Sequence, residues 1–512
     1  MLLVLAALSP AGGGAAQPAA TARPDPQPDL AAFDAHVAQA VREWEVPGLA
    51  IAVVKDDRVV FAKGYGVRRL GSPEPVDTRT RFAIGSTTKA MTALALGMLV
   101  DEGKVRWDDP VIRHLPGFRV ADPYVTRELT VRDLLTHRGG LGNADLLWAG
   151  GDLTTAEIVA RVATLQPAYS LRSGFVYQNV MYAVAGEVIA AASGMPWERF
   201  VRTRIFEPLG MTETVPTLAA LAGQPDVAAP HDVVRDTLRV VANRPVDPVA
   251  AAGSVWSSVD DMARWTRFVL DSARVGGRRL VSEATFREWL TPQTVAPTAM
   301  YPTMQLVRPH FFAYGLGWFL HDYAGEAVAM HTGSIDGMSA IIGLLPDRRL
   351  GVYVLANRDH AELRHALMLR VFDLYRPGGA TAAGGAPARD WSRELRALYG
   401  GLEDQGRAAL RRQAAARVAG TRPSLALARY AGRYREPTYG EVVVTAEGDG
   451  LRLSFGRGFV GALTHWHHDT FQARWADERA APALVAFHPD GAGGVAAVRL
   501  LGLTFARAPE RD

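Results

Sequence analysis

The sequence predicts an α+β domain followed by a small all-β domain. Strand patterns lie at both ends of residues 30–376, around a middle in which helical patterns dominate. This arrangement favours one antiparallel sheet that is assembled from both ends of the segment and flanked by helices. From residue 425 onward, short alternating apolar runs broken by glycine predict a barrel-like or sandwich-like β-domain.

Composition divides the chain into four segments. Residues 1–29 join an apolar start to a Pro/Ala-rich linker, and residues 30–376 are expected to form the larger domain. Residues 377–424 join a Pro/Gly/Ala linker to a helix, and residues 425–512 are expected to form the small β-domain. At 512 residues, the chain is long enough for more than one domain.

Periodicity and turn residues predict the elements in chain order. Helices are predicted at 30–44, 86–103, 153–165, 182–192, 361–375 and 391–418, with another ending near 270. One hairpin is predicted at 48–54 and 58–66, a second at 339–345 and 351–356, and a strand begins at 314. Strands of the β-domain are predicted at 430–434, 441–445, 451–455, 471–474, 484–487 and 495–500.

The first residues resemble an export signal. Residues 1–9 are apolar and precede small residues, a pattern typical of a secretory signal, although the first charge is Arg23. The alternative is a tail without structure. The apolar run is too short to span a bilayer. We therefore expect an exported bacterial protein, periplasmic or secreted, with no transmembrane anchor.

Charge and cysteine content exclude several function classes. The net charge is +3 and the arginines are scattered, so no basic run suggests a nucleic acid or an anionic membrane as partner. The chain has no cysteine, which removes disulfides, thiolate metal sites and a cysteine nucleophile. His465 and His467 would share a strand face, but no third ligand is spaced to join them, so a turn or a lip over the cleft is the simpler interpretation. We expect no metal and no cofactor; the expected partner is a small molecule or a short peptide, and the oligomeric state stays open.

Ser86 and Lys89 form the stretch on which the functional hypothesis depends. They follow a short strand and a tight turn at Gly85, and their spacing of three places both side chains on one face of the helix that opens on Ser86. A serine hydroxyl becomes a nucleophile when a neighbouring base takes its proton, and a desolvated lysine amine is such a base. Since the chain contains four lysines, an accidental Ser-x-x-Lys pair is uncommon. The alternative is a capping serine followed by a surface lysine.

Tyr177 and Asn179 supply a second motif, in a loop before a helix. A phenol or phenolate there would relay a proton to a leaving group, and the amide would bind substrate. Taken alone, a loop tyrosine is usually a packing residue. The loop at 136–140 is interpreted as structural and bordering the site.

The stretch His331-Thr332-Gly333-Ser334 leads into a strand and forms the third motif. Gly333 would let substrate approach the backbone closely. The backbone N–H of Ser334 would be an oxyanion donor beside that of Ser86.

In this order, the Ser-x-x-Lys, Tyr-x-Asn and His-Thr-Gly elements resemble the three signatures of the class C β-lactamase superfamily, which includes DD-peptidases, D-aminopeptidases and family VIII carboxylesterases. The resemblance extends over about residues 30–375. It implies a β-lactamase/transpeptidase-like sheet flanked by helices, plus an all-helical lobe, with the site between them. The last segment resembles the small lipocalin-like β-domain that is often appended to such hydrolases.

The resemblance also implies a role for each motif residue. Ser86 would be the acylated nucleophile, Lys89 its base, and Tyr177 the proton relay and the base for deacylation. Substrate would be held by Asn179, His331, Thr332, Gly333 and the Ser334 backbone.

One departure concerns His331, because β-lactamases of this class carry lysine there. Histidine titrates near neutrality, so the site would hold less fixed positive charge for a β-lactam carboxylate, and we expect an acid limb in the rate near the His331 pKa. The leading hypothesis is a serine hydrolase that acts on D-amino-acid peptides or amides, or equally on carboxylic esters. A true β-lactamase is the next alternative, and a non-catalytic peptidoglycan- or penicillin-binding sensor module is the alternative from another class.

Overall fold

The computed structural model describes residues 28–376, 381–382, 386–387 and 389–509. The expected signal at residues 1–9 and most of the linker at 377–388 lie outside the described residues. The described part contains an eight-stranded antiparallel sheet with helices around it and a closed eight-stranded barrel. The predicted α+β class and the barrel-like β-domain are therefore confirmed.

Each described element begins and ends at defined residues. The helices are α1 Leu30–Glu43, α2 Thr88–Asp101, α3 Val111–His114, α4 Pro123–Glu128, α5 Val131–Leu135, α6 Leu146–Ala149, α7 Thr155–Arg161, α8 Asn179–Ser193, α9 Trp197–Val201, α10 Glu207–Leu209, α11 Leu218–Leu221, α12 Ala250–Gly253, α13 Val259–Leu270, α14 Glu283–Trp289, α15 Met304–Val307, α16 Leu363–Leu374 and α17 Trp391–Ala415. The strands are β1 Gly48–Lys55, β2 Arg58–Gly66, β3 Phe82–Ala83, β4 His231–Val234, β5 Thr237–Val240, β6 Trp256–Ser257, β7 Arg274–Val275, β8 Arg278–Arg279, β9 Thr294–Val295, β10 Phe312–Tyr314, β11 Phe319–Tyr323, β12 Glu326–Ile335, β13 Met338–Leu345, β14 Leu350–Ala356, β15 Thr381–Ala382, β16 Ala386–Pro387, β17 Gly432–Glu436, β18 Gly440–Glu447, β19 Gly450–Phe455, β20 Phe459–His467, β21 Thr470–Trp475, β22 Ala483–Pro489, β23 Val495–Leu500 and β24 Leu503–Arg507.

The large sheet joins the two ends of the segment that precedes the barrel. Its strand order is β2-β1-β14-β13-β12-β11-β10-β9, which places the first hairpin beside the last one. β1 pairs with β14 from Leu49 opposite Ala356 to Lys55 opposite Leu350. The expectation that both ends build one sheet is thus correct.

Both faces of the sheet are covered by apolar layers. Leu49, Ile51 and Val53 of β1 belong to the cluster that includes α1 and α16. The alternating alanines of the same strand belong to the cluster that includes α2 and α8. Because side chains alternate across a strand, a strand that is buried on both faces has a continuous apolar sequence. Between β3 and β6, which pair with each other, helices form most of the regular secondary structure that is described.

The C-terminal strands β17 to β24 close into a barrel. The sequence pattern did not predict β20 and β24. In β24 the one fully buried apolar residue is Phe505, so alternation is faint, and in β20 the polar His465 and His467 obscure the pattern. The interpretation of these histidines as a turn is wrong, because both lie at the end of β20. There, His467 Nδ1 accepts from the backbone N–H of Val418, beyond α17.

The barrel contacts the preceding domain around α6 and α7. Arg457 Nε donates to Asp152 Oδ1 at 2.6 Å, and Arg161 Nη1 donates to Thr438 O at 3.2 Å. None of the helices in the described part of the chain has the length and apolarity needed to cross a membrane.

Candidate active site

Ser86 lies in a tight helical turn, Gly85–Thr87, between β3 and α2. Gly85 has a φ of +53°, and a Cβ at that position would lie 2.6 Å from the Ser334 backbone nitrogen. Glycine tolerates both the positive φ and the close approach. The turn therefore holds Ser86 against β12, and the α-helix itself begins at Thr88 instead of Ser86 as predicted.

Lys89 is fully buried and contacts three acceptors. Its Nζ lies 2.9 Å from Ser86 Oγ, 2.7 Å from Asn179 Oδ1 and 2.8 Å from the Ala252 carbonyl oxygen. Burial lowers the pKa of Lys89 to about 7, while the Asp145 carboxylate acts in the opposite direction. A substantial fraction of the amine is therefore neutral near pH 7 and has a lone pair for the Ser86 proton.

Tyr177 lies against Lys89, whose Nζ is 4.8 Å from the centre of the ring. The Tyr177 hydroxyl is buried and has no well-formed hydrogen bond to the described residues. Burial raises the pKa of Tyr177 well above its usual value, and the nearby Ser86 hydroxyl opposes this shift. Of the two forms that the sequence left open, the geometry therefore favours the neutral phenol over the phenolate.

The imidazole ring of His137 packs against the ring of Tyr177. The two rings are 4.3 Å apart, and His137 Nδ1 accepts from the backbone N–H of Gln178 at 3.0 Å. His137 is fully buried, and burial lowers its pKa well below the usual value. The proton of this neutral imidazole is therefore on Nε2. The sequence placed this loop beside the site but did not indicate the ring contact.

Asn179 is the first residue of α8 and connects Lys89 to a carboxylate that the sequence did not reveal. Its Oδ1 accepts from Lys89, and its Nδ2 donates to Asp145 Oδ1 at 3.0 Å. Trp148 Nε1 donates to the same carboxylate oxygen at 2.9 Å. Asn179 also lines the cleft, so its amide is both a lysine partner and a surface available to substrate.

His331 requires a correction. Its side chain is 1% exposed, and its Nε2 lies 3.0 Å from the Tyr314 hydroxyl. Burial, followed by the charge of Lys89, lowers the pKa of His331 to about 3. The expected acid limb near neutrality therefore does not come from His331, which remains uncharged there. The imidazole is not among the residues that line the described cleft, and a direct contact of His331 with substrate stays a prediction.

Thr332, Gly333 and Ser334 form the part of β12 that lies beside the Ser86 turn. Thr332 Oγ1 is 2.8 Å from the Tyr301 hydroxyl, so this threonine is engaged with the loop that precedes β10. A Cβ on Gly333 would lie 1.9 Å from the Ile84 carbonyl oxygen and 3.0 Å from the Ser86 nitrogen. The close approach that the sequence predicted for Gly333 is thus made by the Ser86 turn. Ser334 is exposed and lines the cleft.

The cleft beside Ser86 has a volume of about 180 Å³, which is smaller than most sites for drug-sized ligands. Arg244 lines it, and Arg244 Nε donates to Asp336 Oδ2 at 2.7 Å. Arg479 of the barrel also approaches Asp336, at 3.2 Å. The arginine at the cleft wall is thus already neutralised by a carboxylate.

Several residues of the site escaped the sequence analysis because distant segments bring them there. Asp145 and Arg244 gave no signal in the sequence. Arg364 did: in the predicted helix at 361–375, its neighbours one turn away include the apolar Ala361, Leu367 and Met368. A cation on the buried face of such a helix indicates a buried polar partner.

The chain matches two family models. A family described as Beta-lactamase matches residues 33–375, and a family described as Domain of unknown function (DUF3471) matches residues 416–509. The first match covers the large sheet and the Ser86 site, and the second covers the barrel.

Curated relatives are fungal and bacterial. Unguisins hydrolase ungD from Aspergillus violaceofuscus is 31% identical over 352 residues, which cover 64% of this chain and 61% of the relative. The chain thus spans about three fifths of that relative's length. Unguisins hydrolase ungD' from Aspergillus campestris is 29% identical and aligns over 80% of this chain and 76% of its own length. Penicillin-binding protein 4 from Amycolatopsis lactamdurans is 30% identical, over 62% of this chain and 82% of its own length.

Solved structures share the fold. The octameric penicillin-binding protein homologue from Pyrococcus abyssi has a TM-score of 0.61 at 23% identity, over 94% of this chain and all of the other. SurE with D-Leu has a TM-score of 0.53 at 22% identity, over 93% of this chain and 99% of the other.

Proposed function

Because the chain belongs to the beta-lactamase family of serine hydrolases, we propose that Ser86 forms an acyl-enzyme with an amide or ester substrate. The observation that supports this most is the distance of 2.9 Å between Lys89 Nζ and Ser86 Oγ, together with a lysine pKa of about 7. A general base works best when its pKa lies near the working pH.

Acylation begins when neutral Lys89 accepts the proton of Ser86 Oγ while that oxygen bonds to the substrate carbonyl carbon. The electron pair of the carbonyl π bond moves to its oxygen, where the backbone N–H groups of Ser86 and Ser334 stabilise the negative charge. The bond to the leaving group then breaks as the carbonyl re-forms. The leaving group takes the proton from Lys89 through the Tyr177 hydroxyl.

Deacylation uses the same groups with water as the nucleophile. Water gives a proton to the Tyr177 oxygen while Tyr177 passes its own proton to neutral Lys89, and the hydroxide bonds to the acyl carbon. The proton returns to Ser86 as the ester bond breaks and the acid leaves. Because the pKa of Tyr177 is raised, its phenol acts in this proposal as a relay that stays neutral between steps.

For the substrate, we propose D-amino-acid peptides or amides, or carboxylic esters, ahead of β-lactams. His331 is uncharged at neutral pH, and Arg244 is paired with Asp336, so these two groups offer little attraction to a β-lactam carboxylate. The names of the relatives, two hydrolases and a penicillin-binding protein, support acyl transfer in general.

The experiment that tests this proposal is labelling with a fluorescent penicillin, followed by a substrate panel. The panel compares D-Ala-D-Ala peptides, D-amino-acid amides, short esters and nitrocefin, with Ser86→Ala as the control. We expect labelling and hydrolysis in the wild type and neither in the variant. Labelling without turnover of any substrate would favour the sensor module, and the absence of both would overturn the proposal.

We also propose that residues 1–9 direct export and that residues 30–376 and 425–512 are separate domains. The apolar start and the two family matches support these assignments. Expression in a bacterial host with sequencing of the mature N-terminus tests the first. Limited proteolysis tests the second, with cleavage expected between residues 377 and 424.

A further inference from the structure

We infer that Arg364 is a positioning residue for the oxyanion site: it fixes the peptide between Gly333 and Ser334 so that the Ser334 N–H faces Ser86. This inference rests on the proposed function, because it assumes that the Ser334 N–H stabilises the reacting oxygen. Arg364 is not among the residues that line the described cleft, so it acts through the main chain of β12.

Arg364 contacts the edge of β12 that faces β13. Arg364 Nη1 donates to the Gly333 carbonyl oxygen at 2.6 Å and to the Ala340 carbonyl oxygen at 3.3 Å. Gly333 and Ala340 lie opposite each other across β12 and β13. Both carbonyls therefore face the gap between these two strands, where the guanidinium reaches them.

The direction of the Ser334 N–H follows from peptide geometry. In a trans peptide, the C=O of one residue and the N–H of the next point to opposite sides. Since the Gly333 carbonyl faces β13, the Ser334 N–H faces the other edge of β12. β11 pairs with β12 only as far as Met330, so that edge is free of a strand partner beyond this residue.

The Ser86 turn lies at this free edge. A Cβ on Gly85 would be 2.6 Å from the Ser334 nitrogen, and a Cβ on Gly333 would be 3.0 Å from the Ser86 nitrogen. The two N–H groups proposed to bind the oxyanion are therefore close neighbours, and the orientation of the second depends on one peptide.

Pairing with β13 restrains that peptide, and Arg364 adds a restraint from a side chain. Residue 333 must be glycine, because a Cβ there would lie 1.9 Å from the Ile84 carbonyl oxygen. Glycine has the largest range of allowed backbone dihedral angles, so the peptide that follows it rotates more easily than a peptide that follows any other residue. A second contact of Arg364 Nη1, to Ser334 Oγ at 2.9 Å, restrains the residue on the far side of the same peptide.

Arg364 is itself held by buried partners. Its Nη2 lies 3.0 Å from Glu362 Oε1, and His365 Nδ1 lies 2.7 Å from Glu362 Oε2. Burial of an ion pair costs desolvation energy, and apolar residues of similar volume often stabilise a fold as well or better. Packing alone therefore does not explain why Arg364, Glu362 and His365 are buried together, whereas orientation of the Ser334 peptide by Arg364 does.

The test compares Arg364→Met and Arg364→Lys with the control Arg348→Met. Arg348 pairs with Glu326 at the other end of β12 and donates to the Tyr375 carbonyl, so its variant removes a less deeply buried ion pair away from Ser86. The substrate is a p-nitrophenyl ester with ¹³C in its acyl carbonyl. The measurements are kcat, KM, thermal unfolding and the infrared carbonyl band of the acyl-enzyme, which moves to higher wavenumber when oxyanion hydrogen bonds weaken.

For Arg364→Met we expect kcat to fall by about 10- to 100-fold with KM nearly unchanged, together with a carbonyl band at higher wavenumber. Arg364→Lys, which keeps a donor and is the safer variant for folding, is expected to be intermediate in both. Arg348→Met is expected to keep the wild-type band and kcat, whatever its stability. A wild-type band and kcat in both Arg364 variants would overturn the inference alone, whereas a wild-type protein that forms no acyl-enzyme would overturn the proposed function and this inference with it.

Discussion

Burial determines the chemistry of the individual residues in this site. Lysine side chains are usually cationic at neutral pH, and histidine side chains become cationic in mild acid. Here burial lowers the pKa of Lys89 to about 7 and that of His331 to about 3. One side chain becomes a base with a lone pair, and the other becomes a neutral packing group beside Tyr314. The proposed reaction therefore depends on a single titrating group, Lys89.

Removal of that base gives the first prediction. Lys89→Ala is expected to lower kcat on a p-nitrophenyl ester by about 100- to 10,000-fold, the usual contribution of a general base. Tyr177→Phe is expected to have an equal or smaller effect, since its hydroxyl has no well-formed hydrogen bond to the described residues while Lys89 contacts Ser86 directly. Wild-type activity in Lys89→Ala would contradict the assignment.

The pH profile gives the second prediction. Since protonation of Lys89 removes the base, kcat/KM should decline as the pH falls through about 7. The charge of Asp145 raises the pKa of Lys89, so Asp145→Asn should move this acid limb to lower pH. The measurement is kcat/KM from about pH 5 to 9 for both proteins. A limb that does not move, or one that moves upward, would exclude this electrostatic link.

At this scale, the sequence revealed the groups that lie close in the chain. Ser86 and Lys89 share a helical face because of their spacing, and the structure places them in contact. Asp145 reaches Lys89 only through Asn179, from a different segment, and the sequence contains no local trace of that arrangement. Burial depends on the whole fold, which is why the neutral state of His331 was not predicted.

Among the elements, the turn before α2 depends on the glycine at its start, Gly85. Gly85 and Gly103 precede and follow this helix, and both have a positive φ, of +53° and +68°. A Cβ on Gly103 would meet no atom within 4 Å, whereas one on Gly85 would collide with the backbone of β12. A comparison of Gly85 with Gly103 therefore separates the effect of backbone strain from the effect of close packing.

Substitution of these glycines gives the third prediction. Gly103→Ala should cost about 1 kcal/mol of unfolding free energy through strain alone. Gly85→Ala should cost roughly 2 kcal/mol more, since overpacking adds to strain, and should also abolish labelling by fluorescent penicillin. Urea denaturation and labelling at a temperature where both variants are folded provide the comparison. Equal effects of the two substitutions would show that contact with β12 is unimportant.

Elements with strong local signals were predicted best. The hairpin of β1 and β2 turns at Asp56 and Asp57, whose φ values of 50° and 62° fit a tight two-residue turn, and its strands carry apolar runs. β24 gave no such signal, because it is short and becomes a strand through closure of the barrel. Strand pairing between distant segments is a property of the fold, not of the local sequence.

At the scale of the whole molecule, α17 links the two units. Its first turn is anchored: Trp391 is 2% exposed, and its Nε1 donates to Asp373 Oδ2 of α16 at 2.7 Å. Farther along the same helix, Leu410 is 56% exposed. The helix is therefore fixed to the sheet-containing domain at its start, and its later turns are more exposed.

This difference gives the fourth prediction. Trp391→Ala should lower the unfolding free energy of the sheet-containing domain by about 3–5 kcal/mol, because it removes a buried aromatic side chain. Leu410→Ala on the same helix should change it by less than about 0.5 kcal/mol. Both changes are measured by urea denaturation, with unfolding monitored by far-UV circular dichroism, because that signal does not depend on the substituted tryptophan. A similar loss in the two variants would mean that the anchor does not lie at Trp391.

The overall architecture was predictable where composition changes along the chain. Two sets of strands around a helical middle indicated one sheet, and the glycine-broken runs after residue 425 indicated the barrel. How the barrel meets the first domain was not predictable, because contacts such as Arg457 with Asp152 join single exposed residues. Exposed ion pairs of this kind produce no periodic pattern in the sequence of either segment.

The central claim, that Ser86 is the acylated nucleophile, is tested most directly by mass spectrometry of the quenched reaction. The protein is mixed with a p-nitrophenyl ester, quenched in acid within the first turnovers, and digested. We predict an acyl adduct on the peptide that contains Ser86 in the wild type and no adduct in Ser86→Ala. Hydrolysis that continues in Ser86→Ala, or an adduct on any other residue, would contradict the account.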